Sequence, residues 1–229
     1  MCLFVLCYRV CDDAPLIVAA NREEYFARGG EPPRLLPGVR AVGGYDPRGG
    51  GTWFGVNAFG VMAAVTNRPK SSLPSKPRSR GLLVLDLLQH QSSSLAAKHA
   101  IAELDANRYD GCNIICADFD QATVIHAGDW LRVRTLPPGI HAISSNDVND
   151  ASDGRIAYAL GRLSPSKGTS LKDYIRTLQA LCGETECQPP ICWRDAERGT
   201  VCSSIVALKK DLARSLYLHA DGPPRLHSL

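Results

Sequence analysis

The feature that most limits what this chain can fold into is a block alternation: short β-rich segments, a helical run, more short strands, two helices and a closing pair of strands. Residues 2–10 and 15–20 are apolar, rich in β-formers and separated by Asp12-Asp13. Residues 40–43, 51–56 and 60–65 continue the pattern, with Asn57-Ala58-Phe59-Gly60 as a tight hairpin connection between the last two. A Pro/Ser/Lys/Arg stretch at 70–80 reads as an exposed loop. The helical pattern from 81 to about 104 is divided by Ser92-Ser93-Ser94, with a serine capping the second helix. Four short strands are expected at 113–117, 122–127, 131–135 and 141–144, and helices at 154–163 and 170–181. Residues 183–198 read as irregular, and a hairpin at 200–208 and 213–219 closes the chain. Blocks of this kind imply an α+β fold in which two sheets are sandwiched by helices. With no repeat or linker dividing it, one domain over residues 1–229 is expected.

Charge narrows the partners. Across 229 residues the net charge is +3 with 21% charged residues, which gives no reason to expect nucleic acid or an anionic membrane as the main partner. No segment approaches the ~18–20 apolar residues needed to span a bilayer. The opening apolar run is short and its first cation, Arg9, follows it, the reverse of a signal peptide, so the run is read as a strand. Nine cysteines, an odd number, without an export signal point to reduced thiols in a cytoplasm. Cys182, Cys187 and Cys192 recur every five residues, but the spacing is not CxxC and no histidine lies nearby to complete a zinc site. No metal is expected there.

Three clusters carry chemistry. Met1-Cys2 is the first: a small second residue permits removal of the initiator methionine, leaving a cysteine that owns both a thiol and an α-amine. The amine titrates near ~8 and the thiol near ~8.5, so one can serve as base for the other. Position alone favours a cysteine that merely begins a buried strand. The second is Ala19-Ala20-Asn21-Arg22-Glu23-Glu24, where four polar side chains follow an apolar strand. They either form a solvated strand end or line a pocket, in which Arg22 would favour the thiolate and Glu24 would orient the amine or the arginine. The third runs from Gly49 through Thr52-Trp53-Phe54-Gly55-Val56-Asn57 to Thr66-Asn67-Arg68-Pro69. It lacks the Lys-Ser/Thr of a phosphate loop. Asn67, ending a strand, is a turn residue or an oxyanion donor.

Taken in order, these clusters, with Ser79-Arg80-Gly81-Leu82 and Pro138-Gly139-Ile140-His141-Ala142-Ile143-Ser144-Ser145-Asn146, resemble the NRDE family, also called the transport and Golgi organization protein 2 family. The resemblance covers residues 1 to about 210. The name-giving Asn-Arg-Asp-Glu stands here as Asn21-Arg22-Glu23-Glu24. The resemblance implies a four-layer αββα sandwich of two antiparallel sheets between helices, as in N-terminal-nucleophile hydrolases. It also implies a role for each matching position. Cys2 is the nucleophile, with its own amine as base; Arg22, or else Asn21, lies beside the thiol. Glu24 stands where the acylase relatives place an aspartate, Asn67 donates to the oxyanion, and Asn146 resembles a second acylase asparagine. Asn21, Trp53, Arg68 and Arg198 are the candidates for contacting substrate. Where the family often shows Tyr-Gly-Thr-Arg, this chain reads Arg198-Gly199-Thr200-Val201, so Arg198 would have to replace the arginine missing at 201.

Two functions follow as expectations: an N-terminal-cysteine hydrolase of a small acyl-amide or peptide-like bond, or a non-catalytic carrier of haem or an acyl lipid using the same cleft. An inactive scaffold that retains Met1 is a third. None requires a cofactor, haem being a ligand in the second. His90, His99, His126, His141, His219 and His227 read as structural or surface histidines rather than axial ligands. Substrate identity and oligomeric state stay open.

Overall fold

The computed structural model describes residues 2–163 and 169–224. In chain order the strands are β1 (Leu3–Tyr8), β2 (Leu16–Tyr25), β3 (Glu31–Leu35), β4 (Ala41–Tyr45), β5 (Phe54–Asn57) and β6 (Met62–Asn67). Helices α1 (Arg80–Leu87) and α2 (Ser93–Asp105) precede β7 (Cys112–Ala117), β8 (Ala122–Ala127), β9 (Leu131–Thr135) and β10 (Gly139–Ile143). Helices α3 (Gly154–Arg162) and α4 (Leu171–Cys182) then lead to β11 (Arg198–Leu208) and β12 (Leu216–Ala220). The chain divides into two compact units, one of residues 1–28 and 138–229, the other of residues 29–137.

The first unit is an antiparallel sheet in the order β10-β1-β2-β11-β12. Strand side chains alternate between faces. Leu3, Val5 and Cys7 of β1, Ile17 and Ala19 of β2, and Ile205 and Ala207 of β11 meet Ile156 and Ala159 of α3 and Leu178 and Leu181 of α4 in one core. Leu16, Val18 and Ala20 of β2 are buried as well, so its first half is apolar on both faces. Odd-numbered residues of β2 therefore point towards the helices and even-numbered ones away. Both α3 and α4 begin on side-chain caps, Asp153 accepting from the Arg155 amide and Ser170 from the Asp173 amide.

In the second unit a seven-stranded antiparallel sheet keeps chain order from β3 to β9. Leu83 and Leu87 of α1 and Ala96 and Ala100 of α2 share a core with Ile114, Cys116 and Ile125. The serine break is realised as expected: Ser92 accepts from the Leu95 amide, and Asp118 accepts from the Ser93 amide at 2.6 Å. Asn57 closes the β5–β6 hairpin by accepting from the amides of Phe59 and Val61, with Gly60 at φ +80°. A Cβ on Gly51 would lie 2.2 Å from the Gly81 carbonyl carbon. The glycine run thus admits the start of α1 rather than a ligand.

Two antiparallel sheets, each with its helices on one face, are the α+β arrangement read from the block pattern. Two details differ. Strand β2 continues through the polar residues to Tyr25, five beyond the expected end, because β11 pairs with it as far as Arg198↔Tyr25. Strand β3 was not expected, since it holds Pro32 and Pro33; it lies at the sheet edge, where proline's missing N–H breaks no ladder.

Candidate active site around Cys2

Cys2 precedes β1, and one step beyond the Leu3↔Asn21 register it faces Arg22. On the other side of β2, Arg22 faces Cys202 of β11. Arg22 is buried and its guanidinium stands 3.9 Å from the Glu24 carboxylate. The Cys2 Sγ accepts from the Glu23 amide at 3.4 Å. Strand pairing thus sets Cys2 opposite Arg22, and Glu24 stands beside Arg22 on the same strand.

The electrostatics depart from the sequence reading. Arg22 does favour the thiolate, but burial and the Glu23 charge outweigh it and push the Cys2 thiol above its ordinary value. Burial pushes the Cys202 thiol up to about 12. Glu23, passed over in the sequence in favour of Glu24, is the buried carboxylate. Its side chain and that of Arg155 are 1% and 7% exposed, and Arg155 Nη1 meets Oε1 at 3.2 Å and Oε2 at 3.4 Å. Arg155 Nη2 also donates to Ser144 Oγ at 2.6 Å. Glu24 instead lies partly exposed, 3.5 Å from Arg28 Nε, and accepts from the Tyr25 amide. Alternation alone could not single out Glu23, because the first half of β2 is apolar on both faces. Nothing in the local sequence marks Arg155, which is 132 residues away.

Asn21 needs correction as a substrate contact. Its parity turns it towards the helices, where Nδ2 donates to the carbonyls of Cys182 at 2.9 Å and Ile191 at 3.2 Å, and Oδ1 accepts from Ser203 Oγ at 2.6 Å. That amide is spent on the core. Arg198 begins β11 with its Nε 3.3 Å from Asp195 and its guanidinium 5.7 Å from the Trp193 ring centre. Next to it, Gly199-Thr200 is pinned by backbone bonding to Trp193, and Val201 falls at the register shift of β11. A cleft of about 530 Å³ is lined by Glu23, Asn146, Asp153, Arg155, Pro189, Pro190, Trp193 and Arg198 among others. Exposed Asn146 hydrogen-bonds to Asp150 at its rim.

The remaining expected site residues belong to the second unit. Asn67 ends β6, exposed, opposite Cys112. Trp53 is half-buried with its ring over Gly44, where a Cβ would come within 2.2 Å of it. Arg68 Nη1 donates to Asn113 Oδ1 at 3.2 Å, and that oxygen also meets His126 Nδ1 at 2.7 Å. This ties Arg68 to the β7–β8 core. Among the other histidines, His90 pairs with His99, His141 with Asn149 and His219 with Ser204; His227 and Met1 lie outside the described residues. No group of three or more metal-type ligands occurs among the described residues. No helix among them is long and apolar enough to cross a membrane.

Solved structures share this architecture. An N-acylethanolamine-hydrolyzing acid amidase ortholog of Caenorhabditis elegans matches with a TM-score of 0.60 at 14% identity, over 94% of this chain and 99% of that one. Penicillin V acylase from Agrobacterium tumefaciens matches with a TM-score of 0.60 at 12% identity, over 96% and 83%. Likeness at this identity establishes the fold class, two antiparallel sheets with helices, and no more. The profile of the family described as "Transport and Golgi organisation 2" matches residues 1–186, and the chain belongs to that family. The human transport and Golgi organization protein 2 homolog is 33% identical over 114 residues, 47% of this chain and 40% of that protein. The mouse homolog is 33% identical over 142 residues, 57% and 50%. The matched region thus spans about half or less of these curated relatives.

Proposed function

We propose that the protein is a hydrolase of a small acyl-amide or peptide-like bond, with Cys2 as an N-terminal nucleophile once Met1 has been removed. The observation that carries this reading is the row of Cys2, Arg22 and Cys202 across three paired strands, with the Glu23 amide on the sulfur. In the proposed cycle the thiol proton passes to the free α-amine of Cys2, and the thiolate attacks the substrate carbonyl, forming a C–S bond and an oxyanion. A backbone N–H serves as an oxyanion donor. The oxyanion collapses as the ammonium gives its proton to the departing nitrogen, so the C–N bond breaks and a thioester remains. Water then adds to that thioester, the C–S bond breaks, and acid and free thiol result. Arg22 opposes the burial that otherwise keeps the sulfur protonated. The Glu23 carboxylate, whose charge reaches the same sulfur, suits the α-ammonium.

Intact mass spectrometry followed by labelling with a thiol electrophile tests the reading. A mass one methionine below the full translation, with labelling lost in Cys2→Ala, is the expected result. Full translated mass in an unlabelled protein would remove the mechanism.

A carrier of haem or an acyl lipid draws support from the size of the cleft, which falls in the range of small-ligand sites, and from its Trp193, Pro189 and Pro190 wall. Titration with haem separates the two: a Soret shift retained in Cys2→Ala, together with no amide turnover, would favour the carrier.

A further inference from the structure

Between the cleft and the strand that meets Cys2 lies a buried ion pair the proposed cycle does not employ. Arg155 comes from the first turn of α3, and three groups hold it: both Glu23 oxygens on Nη1, Ser144 Oγ on Nη2, and Asp153 at 3.6 Å from Nε. Glu23, in turn, gives its amide to the Cys2 sulfur. Burying a carboxylate this deeply is costly unless a cation is paired with it. We propose that Arg155 is a positioning residue for the nucleophile: by clasping Glu23 from α3 it fixes the β2 segment whose amide meets Cys2 Sγ and holds a charged carboxylate beside that thiol.

The inference rests on Cys2 being the reactive thiol, and it holds whether the protein cleaves amides or carries a ligand. Other charges face the same region. Arg22 of β2 lowers the thiol's titration, whereas Glu23 raises it. Cys202 lies across Arg22, with Asp221 near it. Asp153 and Arg198 share the cleft wall with Glu23. Of all these, Glu23 is the largest opposing charge on the Cys2 sulfur. Its neutralisation and its release from Arg155 must therefore act in opposite directions.

The test is the pH dependence of Cys2 alkylation by iodoacetamide in the full folded chain, read by peptide mass spectrometry. Glu23→Gln removes the opposing charge and moves the alkylation midpoint down by about one pH unit. Arg155→Met removes the countercharge from the buried carboxylate beside the thiol and moves the midpoint up by a similar amount. Arg155→Lys keeps the cation and leaves it near wild type. A pair that served stability alone would lower the denaturation midpoint in both neutralising variants and shift the alkylation midpoint in neither. If Arg155→Met does not fold, the charge-neutral Glu23→Gln/Arg155→Met double variant decides. A midpoint lowered as in Glu23→Gln supports the proposal; a wild-type midpoint overturns it, as does movement of both single variants in one direction. Absent amide turnover with these opposite shifts intact would defeat the hydrolase reading and leave this inference standing.

Discussion

Replacing Asn21 by alanine should destabilise the first unit without touching the chemistry of Cys2. The Asn21 amide makes three hydrogen bonds in a site 2% exposed: two donated to carbonyls at the end of α4 and in the segment beyond it, and one accepted from Ser203 of β11. At about 1 kcal/mol each, with two carbonyls left buried and unmet by Asn21, the loss is about 3 kcal/mol. For a chain of this length each kcal/mol shifts the melting temperature by roughly 2–4 °C, so Asn21→Ala should melt about 6–12 °C lower. Ser203→Ala, which removes one of the three bonds, should lose about a third of that. Thermal unfolding followed by circular dichroism measures the shift, and alkylation of Cys2 below the transition should proceed at the wild-type rate. An Asn21→Ala protein that melts with wild type but loses Cys2 reactivity or cleft binding would refute the argument. It would return Asn21 to the site.

Two further outcomes are expected. Gly51→Ala places a methyl against the Gly81 backbone and should cost about 1–3 kcal/mol in denaturant unfolding. The amides of Ser93, Asp120 and Gln121 hold the Asp118 carboxyl below its ordinary value despite burial. Its stabilisation is therefore complete above the unfolded value of ~3.9 and is lost as pH falls through the lower folded value. Melting temperature against pH in Asp118→Asn should show a shallower acid limb than wild type.

Much of the fold was legible because local rules and tertiary context agreed. The serine break, with Ser92 accepting from Leu95, and the Asn57 hairpin are both written in residues a few positions apart. Strand β3 was hidden by prolines that an edge position tolerates. Of the site, Cys2, Arg22 and Glu24 were legible as motif members; pairing of β1 with β2 sets Cys2 opposite Arg22, and Glu24 lies beside Arg22. The choice between Glu23 and Glu24 was not, because both are acidic and adjacent. Only the parity of a strand buried on one face by α3 and α4 turns one inward to Arg155 and leaves the other by Arg28.

By itself the order of residues determined the strand and helix blocks, the caps and the hairpin turns, all of which depend on interactions within a few positions of the chain. Tertiary structure alone decided which polar groups of β2 face the core and that burial outweighs Arg22 at the Cys2 sulfur. Desolvation depends on everything that surrounds an atom, and those surroundings come from segments more than a hundred residues apart.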